Sequence, residues 1–523
     1  MSEQEPEEDR LQEKYVKEID EFKKEARSVF MAATSTKLMI LIDKLELLGL
    51  AYHFESEIAE KLKQVYDSSD KEQDLFTTAL RFRLLRQHQH YVSCDVFDKF
   101  VGKDSKWELE VNRSNDVEGI LSLYEAAHVR IRDEKILDEA LEFTIHHLRR
   151  MLPTLDESCI KERVEQALKY PIHKCLPLLN FRFNISICER EGMTNEFIVK
   201  LAKSNFNFLQ NIYRKELAEI TSWWNKFDLK SKLPYARDRL VECYLWGAAL
   251  RYEPQYSYVR ASVAKTIQLM SIMDDTYDNY ATLEENDIFT EILDRWSMDE
   301  IDRLPDFMKV VYRFIMSVGE DYECEAEKQG KLFTVLYYSE SIKQMSRAYN
   351  IEQKWIMERN MPRYEEFMTN SVITSCIYPV FISLVPGMKS VTEEEVQWLL
   401  SEPKIVISTA KMVRTLGDLS SHERENRDGK LLTVVDCYME DKGVSKEEAI
   451  NKFEELVEDG WKDVTAEWAK GCGGCVPKQM MEQLMNYGRL AYLTYAKNGD
   501  GFSYPEKYMG PLAAALLLDP LLI

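Results

Sequence analysis

Apolar residues recur at three- and four-residue spacing along almost the whole chain, and that period points to α-helices as the elements that bury them together. The run "STKLMILIDKLELLGLAYHFESEIAEKL" shows the pattern, with Leu38, Leu41, Leu45 and Leu48 forming one stripe. The closing run "YPEKYMGPLAAALLLDPLLI" repeats it. No period-two alternation, long Gly/Ser/Pro linker or tandem repeat interrupts the pattern. The sequence therefore predicts an all-α fold of two helical layers or barrels. At 523 residues the chain is long enough for two domains. In "RKELAEITSWWNKFDLKSKLPYARDRL" a helix carrying Trp223 and Trp224 gives way to a Lys/Pro segment, which places a junction near residue 220. The expected domains are 1–220 and 221–523.

Charge narrows the function classes. Lysine and arginine total 68 against 90 acids, a net charge of −22, which repels nucleic acid and anionic membrane surfaces. The opening "MSEQEPEEDR" is acidic and has no apolar core, so neither a secretory signal nor an arginine-rich transit peptide is read there, and the cytosol is the expected compartment. The longest uncharged apolar stretches, such as "PLAAALLL", fall short of the roughly 20 residues of a spanning helix. Ten scattered cysteines read as reduced thiols, and Cys472 and Cys475 in "GCGGC" lack the partners of a zinc site, with Cys437 too isolated to complete one. His88, His90, His146 and His147 read as surface or core residues.

One segment resists a purely structural reading. "SIMDDTYDNY" packs three aspartates into five positions at the end of an otherwise apolar helix. With 263–278 helical, Val263, Ile267, Met270, Asp274 and Asp278 share one side. Carboxylates at a helix C-terminus oppose its dipole and repel one another, so a cation is needed. Magnesium fits, because it takes one or two carboxylates plus substrate phosphates and keeps its waters; a solvated acidic loop is the other reading. Asp275 points about a third of a turn away, toward a supporting place. After these acids "TLEE" offers a capping box from Thr282 to Glu285, which puts the aspartates at a rim. Arg237 and Arg239 in "YARDRL" suit diphosphate oxygens. "VRTLGDLSSHERE" adds Arg414 and, at helical spacing, Ser421 and Glu425, with Asp418 off that face.

"KLPYARDR", "DDTYD" and "GDLSSHERE" resemble, in order and spacing, the signature blocks of plant class I terpene synthases, particularly the cytosolic sesquiterpene synthases. The similarity runs through "LIDKLELLGLAYHFESEI", "LRFRLLRQH" and "LSLYEAAHV" in the first half, and through "WWNKFDL", "YATLEE", "IEQKWI" and "DGFSYPEKY" in the second. The resemblance implies a non-catalytic N-terminal α-barrel and a catalytic C-terminal α-bundle. That bundle would hold three Mg2+ ions, with Mn2+ as a substitute, and an isoprenoid diphosphate. It implies Asp274, Asp278, Ser421 and Glu425 as metal ligands, and Arg237, Arg239 and Arg414 on the diphosphate. Trp246 and Tyr495 would line the pocket with Asp500 in the site, and Thr374 and Ser375 would mark a helix interruption whose carbonyls face the substrate.

Three departures stand out. Gly417 occupies the position where the family places an asparagine or aspartate ligand, so a water or a shifted Asp418 would have to compensate. Ala281 and Phe502 replace a glycine and a tyrosine, and the family's arginine- and tryptophan-bearing N-terminal segment is missing, which leaves lid closure open. The resemblance implies a monomeric plant enzyme that ionises farnesyl diphosphate and cyclises or rearranges the cation to a sesquiterpene. A monoterpene synthase using geranyl diphosphate and a catalytically impaired relative are the alternatives. A proton-initiated cyclase would need Asp-x-Asp-Asp, which the chain lacks, and a chain-elongating prenyltransferase would carry a second aspartate-rich motif.

Overall fold

The computed structural model describes residues 5–68, 74–102, 107, 116–192, 195–428, 432–471, 478–495 and 499–523. Cys472 and Cys475 lie outside them. Among the described residues there is no strand beyond one isolated bridge between Val101 and Trp107, and the described cysteines are free thiols.

The chain divides into two compact units. Unit 1 comprises Met1–Asn211, Lys462–Gly473 and Ala515–Ile523, and unit 2 comprises Ile212–Trp461 and Gly474–Ala514. The division falls inside one uninterrupted helix, Glu196–Asn225, which also contains the junction expected near residue 220.

Unit 1 is a set of amphipathic helices around an apolar core. In Ser35–Leu47 the buried side is Leu38, Met39, Ile42 and Leu45. The expected stripe differs at one place: Leu41 is half-buried and Ile42, beside it on the same broad face, is buried instead. Helix α1 (Leu75–Gln87) starts where Asp74 accepts the Thr77 amide at 2.8 Å, and its Phe82 packs against Phe97 and Leu123. Arg86, on the same helix, is buried beside Glu134 with an Nη1–Oε2 distance of 2.7 Å, and donates to the Val92 and Val129 carbonyls. His88 pairs with Glu46 and His147 with the Phe143 carbonyl. The C-terminal helix, Pro505–Leu517, lies in unit 2 through Ala514 and contributes only its end to unit 1; it stops earlier than its apolar pattern suggests, and residues 518–523 are not helical.

Unit 2 is built on α2 (Leu240–Leu250) and α3 (Ser257–Asn279), which pack so closely that a Cβ on Gly247 would lie 2.5 Å from the Arg260 carbonyl oxygen. Arg260 is buried and bonded to both oxygens of Glu216, at 2.8 and 2.7 Å. Around this pair stand α4 (Thr334–Met357), α5 (Tyr364–Thr374), α6 (Ile377–Leu384), α7 (Lys404–Asp428) and α8 (Lys478–Tyr495). The capping box after α3 is present: the Thr282 amide donates to Glu285 at 2.8 Å and the Glu285 amide to Thr282 Oγ1 at 3.3 Å.

The structure corrects one reading. Tyr364–Gly387 is long and apolar enough, with a mean hydropathy of 1.5, to match a membrane span by length and composition, where none was expected. It is broken in the middle, and 83% of its most apolar 18-residue window is buried inside the protein as core.

Candidate active site

The interior side of α3 faces a cavity of about 600 Å³ in unit 2. Ile267 and Met270 line its apolar depth, and Asp274 and Asp278 follow at the helix end, as the helical period requires. Asp275 is buried and turned toward Arg237, accepting its backbone amide and its Nε, both at 2.7 Å. Arg237 Nη2 reaches Asp274 at 2.7 Å, so one guanidinium serves two carboxylates. Among the described residues no arginine bonds to Asp278, which accepts from Gln353 Nε2 at 2.7 Å. Burial, then the charges of Asp274 and Glu352, push the Asp278 carboxyl well above the usual range. Burial raises Asp275 to about 6 against the pull of Arg237. This end of the cavity carries more negative charge than the protein compensates.

Helix α7 supplies another wall. Arg414 donates through Nε to Asp418 at 2.7 Å and through Nη1 to Thr374 Oγ1 at 2.8 Å and Glu352 at 3.3 Å. The second oxygen of Asp418 accepts the Val434 amide at 2.7 Å. Each of its oxygens accepts one bond, which makes Asp418 the tether of Arg414. Ser421 and Glu425 lie further along α7 and both line the cavity. Burial and the Asp418 charge raise Glu425 to about 7, while a bond from Ser421 opposes them.

Thr374 ends α5, Cys376 takes the left-handed conformation at φ 62°, and α6 begins at Ile377. Pro379 explains the break: it has no amide to donate to the carbonyl four residues back, Ser375, and its ring would crowd that carbonyl in a continuous helix. The Ser375 carbonyl is not left open to the cavity, as expected from sequence, but accepts the Tyr487 hydroxyl at 2.7 Å.

The apolar end is aromatic. Trp246 meets Tyr487 edge-on at 5.7 Å and Phe502 at 6.4 Å, and Tyr495 lines the same wall, its phenol pushed up by burial. Arg239 lines the cavity but uses its guanidinium on backbone, donating to the carbonyls of Phe502 at 2.9 Å and Ser503 at 3.2 Å. Asp500 accepts the Phe502 and Ser503 amides and Arg424 Nη2 at 2.9 Å. These two residues thereby hold the 500–503 segment over the cavity's aromatic wall.

Glu352, Gln353 and Asn370 escaped the sequence reading. Glu352 is the hub of this wall, taking bonds from Asn370 at 3.2 Å, Thr374 at 2.9 Å and Arg414. An acid on the buried side of a helix was the available signal, within the quoted "IEQKWI".

Among the described residues no three His, Cys, Asp or Glu side chains converge closely enough to enclose an ion by themselves. The donor set is all oxygen, and Asp278 stands beside two like charges with no cation bonded to it among the described residues. That combination fits a hard divalent ion such as Mg2+, which completes its shell with water and ligand phosphates, and not a closed thiolate or imidazole cage.

The family described as "Terpene synthase family, metal binding domain" matches residues 225–463, and "Terpene synthase, N-terminal domain" matches residues 1–168. Tau-cadinol synthase of Lavandula angustifolia is 49% identical over 98% of this chain and 93% of its own length. Gamma-cadinene synthase of Ocimum basilicum is also 49% identical, over 98% and 94%. The crystal structure of isoprene synthase from grey poplar, in complex with three Mg2+ ions and dimethylallyl-S-thiolodiphosphate, superimposes with a TM-score of 0.90 at 30% identity, covering 98% of this chain and 99% of that one. The likeness extends through both halves of the chain, and the chain belongs to the terpene synthase family.

Proposed function

We propose that this terpene synthase is a sesquiterpene synthase: it ionises farnesyl diphosphate with Mg2+, cyclises or rearranges the allylic cation, and releases a sesquiterpene and diphosphate. The observation that carries the reading is the cavity's division into a charged end and an aromatic end, and the 49% identity to sesquiterpene synthases supports the substrate.

In this reading Asp274 and Asp278 hold metal from α3, with Glu352 beside them, and Ser421 and Glu425 hold it from α7. When bound, the ions supply Lewis-acid stabilisation of the charge that develops on the departing diphosphate. Three ions are proposed, as in the isoprene synthase complex. Arg237 and Arg414 present guanidiniums to that charge, and Arg239 joins them when it leaves the loop carbonyls. Scission of the C–O bond sends its electron pair to the diphosphate and leaves the cation facing Trp246, Tyr487, Tyr495 and Phe502. Each aromatic face within reach attracts a cation by about 0.5–2 kcal/mol. Burial pushes Cys376 up to about 12, so it stays a thiol and does not present a thiolate that would trap the cation.

The same proposal places the protein in the cytosol as a monomer without nucleic-acid or membrane partners; its net charge of −22 supports the last point. The test is gas chromatography with mass spectrometry on products from farnesyl and geranyl diphosphate, with and without Mg2+. Metal-dependent sesquiterpene from farnesyl diphosphate is expected. Turnover of geranyl diphosphate alone would replace the reading with a monoterpene synthase, and absence of turnover with both would make the protein a binder.

A further inference from the structure

Glycine inside a helix lowers its stability relative to alanine, so each one asks for a reason. Several α-helical glycines of unit 2 have a packing reason. A Cβ would lie 2.5 Å from the Arg260 carbonyl at Gly247, 2.9 Å from Trp296 at Gly319 and 2.5 Å from Met412 at Gly488. Gly417 has none. It sits in the interior of the 25-residue helix α7 without a positive φ, and a Cβ there would meet no atom within 4 Å. No described residue packs into the space that this glycine leaves.

The space opens onto the cavity. Gly417 is part of its lining, one turn before Ser421 and two before Glu425, and the neighbouring Asp418, which also lines the cavity, is bonded to Arg414 and the Val434 amide. We propose that Gly417 reserves a place in the loaded site for an oxygen that belongs to the ligand, not to the chain. That oxygen comes from either the diphosphate or a metal-held water. The inference rests on the proposed metal-dependent binding of a diphosphate, and it makes Gly417 a positioning residue whose function is the absence of a side chain.

The reading sets stability and binding against each other. Gly417→Ala should raise the melting temperature of the ligand-free protein by about 1–3 °C, since alanine is the better helix former and meets no clash. The same change should weaken binding of pyrophosphate in the presence of Mg2+, measured by isothermal titration calorimetry, by about ten-fold or more. Gly417→Asn separates the two sources. If the oxygen is water, the asparagine carbonyl replaces it and affinity returns to or exceeds the wild-type value; if it is a diphosphate oxygen, asparagine is as damaging as alanine. Gly417→Ala that binds Mg2+ and pyrophosphate as tightly as wild type overturns the inference while leaving the proposed function intact. Wild-type protein that binds no pyrophosphate with Mg2+ overturns both.

Discussion

Two buried charge clusters in this molecule obey opposite rules. In unit 1, Arg86 and Glu134 are matched: one guanidinium meets one carboxylate, and neighbouring carbonyls take the remaining donors. In unit 2, Asp274, Asp275, Asp278 and Glu352 line one cavity against Arg237 and Arg414, and Asp278 is left with an amide donor and two like charges. The first arrangement is complete as folded. The second is complete only with a cation, because Asp278 has no bonded cationic partner and stands half-buried among carboxylates that already share two guanidiniums. Buried charge that balances itself marks architecture, and buried charge that does not marks a binding site.

The comparison breaks most visibly at Asp278. Asp278→Asn keeps the shape and the Gln353 contact but removes a charge, so turnover should fall by about a thousand-fold, the scale of losing one preorganised electrostatic contact. The melting temperature should hold or rise, since repulsion is relieved. A steady-state assay paired with a thermal melt reads both.

Arg86→Ala should do the reverse. It strands Glu134 in the core and should cost about 3–5 kcal/mol in denaturant unfolding, with the rate per folded molecule unchanged. A loss of turnover without a loss of stability would put Arg86 on the wrong side of the comparison.

Arg414 sits between the two kinds of charge, tethered by Asp418 yet lining the cavity. Arg414→Ala should slow ionisation in a single-turnover experiment by about ten-fold to a hundred-fold, the worth of a charge-assisted bond of roughly 1.5–3 kcal/mol. A wild-type rate would confine it to a structural role.

The smallest effect concerns pH. Burial raises Glu425 to about 7 and Asp275 to about 6 in unit 2, and Glu125 to about 7 in unit 1. These carboxyls hold protons in the folded protein that the unfolded chain has released above roughly pH 4. The stability they confer is therefore full below that pH and lost as pH rises through 6 to 7. The metal-free melting temperature should fall between pH 5 and 8. Mg2+ with pyrophosphate should reduce the unit 2 share of that fall, because the ligand favours the ionised carboxylates. Glu125→Gln should remove the unit 1 share alone.

Much of the site was legible because it lies on single helices. Asp274 and Asp278, or Ser421 and Glu425, need only the helical period to share a face, and the Thr282 capping box is a local signal. The partners that cross between helices were not legible. Glu352 reaches Thr374 and Arg414 only because α4, α5 and α7 pack together, and Asp418 reaches the Val434 amide only because the helix Val434–Lys442 returns to α7. The interruption at Thr374 and Ser375 was identified by resemblance, although Pro379, four residues after Ser375, was a physical signal for it. The occupied Ser375 carbonyl and the loop-bound Arg239 guanidinium also depend on approach of distant segments, Tyr487 and 502–503.

The claim that unit 2 holds charge awaiting a cation is tested most directly by ligand-induced stabilisation of wild type and Asp278→Asn. Mg2+ plus pyrophosphate should raise the wild-type melting temperature by several degrees, since a ligand at about a hundred times its dissociation constant adds roughly 2.7 kcal/mol. The variant should start at an equal or higher melting temperature and show little or no shift under the same conditions. An equal shift in both proteins would contradict the account, because the excess charge at Asp278 would then have no part in holding the metal.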